Sequence, residues 1–244
     1  MDGSEGTHNQ SNTVAINLTP VEAKLFEVFG KTCKLIRKEH NDIPDLLGGI
    51  GEDAIRFVWV AGGFVRDKIL KVDSKDIDII IPAATSNIML STFKEICKKS
   101  GHDFIMIRPP KQMGQGVCQN LLLSRFTISI NGEPLDLDMR ECEKAGVPFN
   151  TDPKSRDFTV NAGYIDPLEQ IAIDPNVGTF DDIKNKVLRT VVSPDKTFTP
   201  DPSRMIRAVR FHITKGFRLH TDVLTFINQK GKELMVGVET HTGC

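Results

Sequence analysis

From Thr19 onward the apolar residues fall into step with a helix. In TPVEAKLFEVFGKTCKLIRKEH, residues Val21, Leu25, Phe26, Val28, Phe29, Cys33 and Leu35 recur three or four apart. Thr19, Pro20 and Glu22 give that helix a start signal, a cap followed by proline and by a carboxylate three residues on. The pattern then changes period. FVWVAGG is a short apolar run closed by two glycines, which predicts a strand, a tight turn and a helix from about Phe64 to Leu70. KDIDIIIP alternates at its start and stops at Pro82, as a strand does. NIMLSTFKEICKKSG predicts a helix ended by Gly101. DFIMI, LLLSRFTISI and EPLDLDMRE predict three strands, the last two joined at Asn131-Gly132, a strong hairpin signal.

Further on, RDFTVNAGYID predicts a helix or a helix–strand step, and FDDIKNKVLRTV a short helix then a strand. DPSRMIRAVRFHITKGF predicts a helix ended by Gly216, and DVLTFINQKGKEL a last helix. Residues 1–13 are polar and read as a disordered tail. The division that follows is an α/β (α+β) domain over residues 14–190 and a helical segment over 191–244, with no internal repeats.

Composition narrows the classes without choosing among them. The 244 residues are 39% hydrophobic and 26% charged, ordinary for a globular protein with a sizeable core. A net charge of −1 means that any nucleic-acid site is a local basic face. The five cysteines form no CxxC pair or zinc spacing, which fits free thiols in a reducing compartment. The N-terminus lacks the arginines and apolar core of a targeting segment, and no apolar run approaches a membrane span. The expected compartment is the cytoplasm, with nucleus or mitochondrion as the alternatives.

The chemistry concentrates in one stretch, Gly62-Gly63, Arg66-Asp67, then Asp76 and Asp78. Residues two apart on a strand share a face, roughly 6.5–7 Å from each other. Carboxylates so placed can share divalent cations, and magnesium takes oxygen ligands while keeping substrate phosphate as one of them. Metals roughly 3.5–4 Å apart can activate a hydroxyl and neutralise a leaving pyrophosphate. Gly62 and Gly63 open a helix, so backbone N–H groups can face a triphosphate. A lone DxD is more often a solvated strand end and a lone GG a turn; their order here is what carries the signal. Later, Arg204, Arg207, Arg210 and Lys215 form a basic stripe on one helix, either a phosphate-binding face or a solvated one.

VAGGFVRDKIL followed by SKDIDI resembles the signature of the class II tRNA nucleotidyltransferases (CCA-adding enzymes) and bacterial-type poly(A) polymerases. SRDFTVNAGYID, DPNVGTFDDIKNKVLRTV and DPSRMIRAVRFHITKGF extend the resemblance over roughly residues 55–220. It implies a polymerase-β-like head with a mixed five-stranded sheet, a helical neck, two Mg2+ ions, and addition of C, C and A from CTP and ATP to a tRNA 3′ end. It puts metal binding and catalysis on Asp76 and Asp78, and triphosphate contacts on Gly62, Gly63 and Arg66. For Arg66, an ion pair with Asp67 or Asp73 is the structural alternative. A third carboxylate usually joins from a neighbouring strand. PLDLDMR offers Asp136 and Asp138 on one face, and the expectation falls on Asp136.

Arg156, Asp157 and Asn161 match the family's second motif and would meet the ribose and phosphates of the nucleotide. Ser155 stands where the family has a first arginine, with Lys154 beside it. Asp174, Gly178, Asp181 and Asp182 match a flexible segment, and a capped turn explains the same residues. Asp201 and Arg204 match the nucleotide-selecting pair, with Pro200 in place of the usual glutamate. The carboxylate would accept from the exocyclic amine of C or A, and U and G lack that amine. Asp201 before Pro202 is also a good helix cap. Arg207 would add a nucleotide contact.

The chain ends at VGVETHTGC, which does not resemble the family's next neck motif, so a truncated neck with a weak hold on tRNA is expected. Three readings follow: a CCA-adding enzyme, a poly(A) polymerase of the same branch, or a non-catalytic nucleotide- or RNA-binding remnant.

Overall fold

A computed structural model of the chain describes residues 12–40, 58–74, 76–112, 122–142 and 152–239. The expected tail up to residue 11, the loop with Gly48, Gly49 and Gly51, and the last five residues lie outside them. Asn12 and Thr13, expected in the tail, belong to the fold. Thr13 opens strand β1 (Thr13–Ala15), and the Asn12 carbonyl accepts from the Asp174 N–H at 2.9 Å.

Helix α1 (Pro20–Glu39) starts as its sequence signals. Thr19 Oγ1 accepts from the Glu22 N–H at 3.3 Å, and Glu22 Oε2 accepts from the Thr19 N–H at 2.7 Å. Such a cap contributes about 1 kcal/mol. The buried stripe runs Val21, Leu25, Phe26, Val28, Phe29, Cys33 and Ile36. Ile36, not the expected Leu35, closes it, because the helical period turns Leu35 partly outward.

Strand β2 (Trp59–Ala61) runs into helix α2 (Gly63–Ile69) through Gly62. Strand β3 (Asp76–Pro82) leads to helix α3 (Ser86–Lys99). Three long strands follow: β4 (Asp103–Gln112), β5 (Leu122–Ile130) and β6 (Glu133–Cys142). Asn131 at φ 54° and Gly132 at φ 83° make the β5–β6 turn, both left-handed as a two-residue hairpin requires. Next come the short helix α4 (Asp152–Ser155), a 3-10 turn at Thr159–Asn161, and strands β7 (Tyr164–Asp166) and β8 (Ile171–Ile173). Helix α5 (Thr179–Lys184) and strand β9 (Val187–Leu188) precede helices α6 (Pro194–Phe198) and α7 (Ser203–Lys215), strand β10 (Arg218–Leu219) and helix α8 (Thr221–Glu239).

The main sheet is mixed, as expected, but among the described residues it has eight strands, not five, in the order β1-β8-β7-β2-β3-β6-β5-β4. The additions are β1, β7 and β8, each of three residues, too short to leave a periodic trace. Only β3 and β6 pair in parallel; the other pairs are antiparallel. One sheet face carries Val60, Ile77, Ile79, Phe126, Ile128, Leu137 and Met139 into a core with α1 and α3. The other face holds Trp59, Ala61, Ile80 and Tyr164.

A second core joins Phe158, Val160, Ile183 and Leu188 to Phe198, Met205, Ala208, Phe211, Phe217 and Val223. The boundary drawn near residue 190 falls inside this core. Nor is the chain purely helical beyond it, since β10 pairs with β9 in parallel.

Candidate active site

Strand alternation sends Ile77 and Ile79 into the core and Asp76 and Asp78 to the opposite face. The registers then align residues across four strands. Ala61, Asp78, Asp138 and Arg125 form one row over β2, β3, β6 and β5. Asp76, Asp136 and Thr127 form the next row.

A solvent-open cleft of about 420 Å³ lies over this face. Asp76, Asp78 and Asp138 form its acidic floor, Gly62 and Gly63 one end, and Arg66, Arg156, Arg207, Arg210 and Lys215 its basic side. Asp136, on which the expectation fell, stands at the margin of this floor. It is exposed, its carboxylate is taken by Thr127 Oγ1 at 2.6 Å, and it does not line the cleft. Asp138 lines it because its row ends on Ala61, one residue from the glycine turn.

Gly62 is required by its backbone and its surroundings. Its φ is 75°, and a Cβ there would sit 2.6 Å from Asp78 Oδ2. Burial raises the pKa of Asp78; Arg156 opposes that shift, and the neighbouring charges of Asp138 and Asp76 add to it. A half-buried carboxylate whose charged form is disfavoured is a group that gains from a cation.

The basic side is tied together by acids. Arg66 is buried; it donates to Asp67 Oδ1 from Nε at 2.8 Å and to Asn161 Oδ1 at 2.6 Å. The Asp67 ion pair is therefore formed, and the guanidinium also lies 5.1 Å from the Phe211 ring centre. Asn161 Nδ2 donates to Asp157 Oδ1 at 3.1 Å, and Arg207 reaches Asp157 Oδ2 with Nε at 2.8 Å and Nη2 at 2.7 Å. Lys215 stands 3.7 Å from Asp67. Arg66, Asp157, Asn161 and Arg207 thus form one network, with Arg156 alongside.

Asp201 and Arg204 are not brought into the cleft lining. They pair with each other at 3.4 Å, Asp201 Oδ1 accepts from the Ser203 N–H at 3.2 Å, and Arg204 donates to the Ser155 carbonyl at 3.1 Å. The helix opens at Ser203 behind Pro202, with Asp201 bonded just ahead of it. Asp174 accepts from the Val177 and Phe180 N–H groups, and Asp182 from Thr159, so that segment is a capped turn leading into α5. Residues missed in the sequence are Phe211 and Arg125. Arg125 carried a signal, a lone cation in an otherwise apolar and hydroxyl-bearing strand.

The donor set suits a hard divalent ion in part. Asp76 and Asp78 offer oxygen ligands on one face of the cleft. Among the described residues, no three acidic, histidine or cysteine side chains converge as a complete cage. Two carboxylates, with the remaining positions left to water and phosphate, fit magnesium's habit.

Residues 58–189 match the family described as the Poly A polymerase head domain. A CCA-adding enzyme of Oceanobacillus iheyensis is 32% identical over 167 residues, covering 68% of this chain and 39% of that protein. A tRNA nucleotidyltransferase of Schizosaccharomyces pombe is 25% identical over 228 residues, covering 87% and 44%. Among solved structures, the Thermotoga maritima CCA-adding enzyme complexed with tRNA-CCA superposes with a TM-score of 0.62 at 22% identity, over 92% of this chain and 47% of that one. The chain belongs to the Poly A polymerase head domain family, and its fold is that of the CCA-adding enzymes. It spans less than half the length of these relatives.

Proposed function

We propose that the chain is the head and first neck helices of a template-independent nucleotidyltransferase that adds C and A, from CTP and ATP, to the 3′ end of tRNA. The observation that carries this reading is the row of carboxylates facing, across one cleft, the glycine turn and a wall of arginines. The relatives' names support it: one is a CCA-adding enzyme, another a tRNA nucleotidyltransferase.

In this reading the triphosphate lies between Gly62-Gly63 and the cations Arg156, Arg207, Arg210 and Lys215. Backbone N–H groups at the turn and these side chains neutralise the outer phosphates. The RNA 3′-hydroxyl oxygen bonds to the α-phosphorus, the bond to the β-phosphate oxygen breaks, pyrophosphate leaves, and the hydroxyl proton passes to solvent. Asp76 and Asp78 would hold two Mg2+ ions, which supply positive charge to the attacking and leaving oxygens. Asp138 is the third carboxylate of this site. Arg66 acts from behind, fixing Asn161 and through it Asp157. Asp201 and Arg204 stand next to the Ser155–Arg156 segment and offer an acceptor and a donor to the base edge of C or A. Among the described residues no helix is long and apolar enough to cross a membrane, and Cys33, Cys97 and Cys142 are buried thiols outside any disulfide. A cytoplasmic site of action fits these thiols.

The deciding experiment supplies labelled CTP and ATP with Mg2+ to tRNA transcripts ending before C, C or A. Addition of C, C and A supports the reading. Long adenylate tracts would place the chain with the poly(A) polymerases. Nucleotide binding without incorporation would leave a non-catalytic binding module.

A further inference from the structure

We propose that Arg125 is a positioning residue that bridges Asp76 and Asp138 across the floor of the cleft and competes with a divalent cation for them. The inference rests on the reading of this carboxylate row as a cation site.

Arg125 is the cross-strand partner of Asp138, and its side chain leaves the sheet on the acidic face. Its Nε stands 3.3 Å from Asp138 Oδ1, and its Nη2 reaches diagonally to Asp76 Oδ1 at 3.4 Å. One guanidinium therefore joins carboxylates of two adjacent strands. The three floor carboxylates do not converge, and the group standing between two of them is this cation. Both contacts are long and use single nitrogens, not the parallel fork that makes arginine–carboxylate pairs strong. Arg125 is one-third exposed and Asp76 is 73% exposed, so water screens the pair. A bridge of that kind is strong enough to set carboxylate positions and weak enough to yield to a doubly charged ion. Asp78 takes no part in this bridge, and the cations that act on it are Arg156 and Arg140. On arrival the ion takes Asp76, and Arg125 keeps Asp138 as an outer partner.

The test measures Mn2+ affinity of the full chain without nucleotide, by electron paramagnetic resonance of free Mn2+. R125A is expected to bind Mn2+ about three- to tenfold more tightly, the scale of two weak, partly exposed ion pairs. Unchanged or weaker binding overturns the proposal. R125K keeps the charge but lacks the fork that spans both carboxylates, so it should show at least half of the gain on a logarithmic scale. Wild-type affinity in R125K beside a gain in R125A would mean a general charge effect and would also overturn it. D78N separates the two levels of the argument. If D78N binds Mn2+ like wild type, the ion sits elsewhere and both the site reading and the proposal fail. If D78N loses affinity while R125A is unchanged, only the proposal fails.

Discussion

The floor and the wall of the cleft are built by different means. The floor stands on β3 and β6, whose positions are set by backbone ladders and whose reverse face is packed in the main core. The wall comes from α7 and the stretch from Arg156 to Asn161, and it meets the head's side chains through Arg207–Asp157, Arg66–Asn161 and Lys215–Asp67. A floor carboxylate, on a short side chain, swings only about its own two torsions while its strand holds the Cα. A wall arginine can move by changing rotamer. The cleft thus pairs fixed acids with adjustable bases, a sensible division if the metal end of a substrate is constant and the nucleotide end varies.

Substitutions at each side sharpen that contrast. The largest effect is expected on the floor: Asp78→Ala should lower nucleotide incorporation at least about a hundredfold with the fold intact, because the ligand row is broken. Persisting incorporation with normal circular dichroism would remove Asp78 from the chemistry. On the wall, Asp157→Ala leaves Arg207 and Asn161 without their shared acceptor and, with Arg207 half-exposed, should cost about 1–3 kcal/mol in urea denaturation. A loss below the error of the fit would mean that the network adds no stability. Gly62→Ala, at φ 75° and against Asp78, should destabilise by about 1–3 kcal/mol and weaken nucleotide binding.

The smallest effect concerns pH. Burial raises the pKa of Asp78, so the folded state binds its proton more tightly than the unfolded chain. Stability of the metal-free protein should therefore fall as pH rises from the ordinary carboxylate range through the raised folded value. Asp78→Asn should lack that slope and be slightly more stable than wild type above it. Parallel stability–pH curves for the two proteins would contradict the assigned burial.

Much of this molecule is legible in its sequence. The capping box of α1, the strand–GG–helix step, the Asn131-Gly132 hairpin and the shared face of Asp76 and Asp78 are local, and each forms as read. The rest depends on register between strands far apart in sequence. Asp136 and Asp138 are equivalent by spacing, and only the pairing of β6 against β3 and β2 puts Asp138 beside the glycine turn. Arg125 acquires its role by standing opposite Asp138, which spacing alone does not reveal. Asp201 and Arg204 share a face as expected, and they bond to each other, to the Ser203 N–H and to the Ser155 carbonyl at the edge of the cleft.

The second core has a bearing on how such proteins recombine. The family match ends at residue 189, but Phe158 packs against Phe198 and Phe211, and Leu188 shares their core with Phe217 and Val223. At the other end the match begins at residue 58, past α1, whose stripe fills the main core. The recognisable stretch is thus a unit of descent and not a unit of folding. A chimera that exchanged residues 58–189 between relatives would graft two half-cores onto foreign complements. One that carried Thr13 through α8 would move both cores whole.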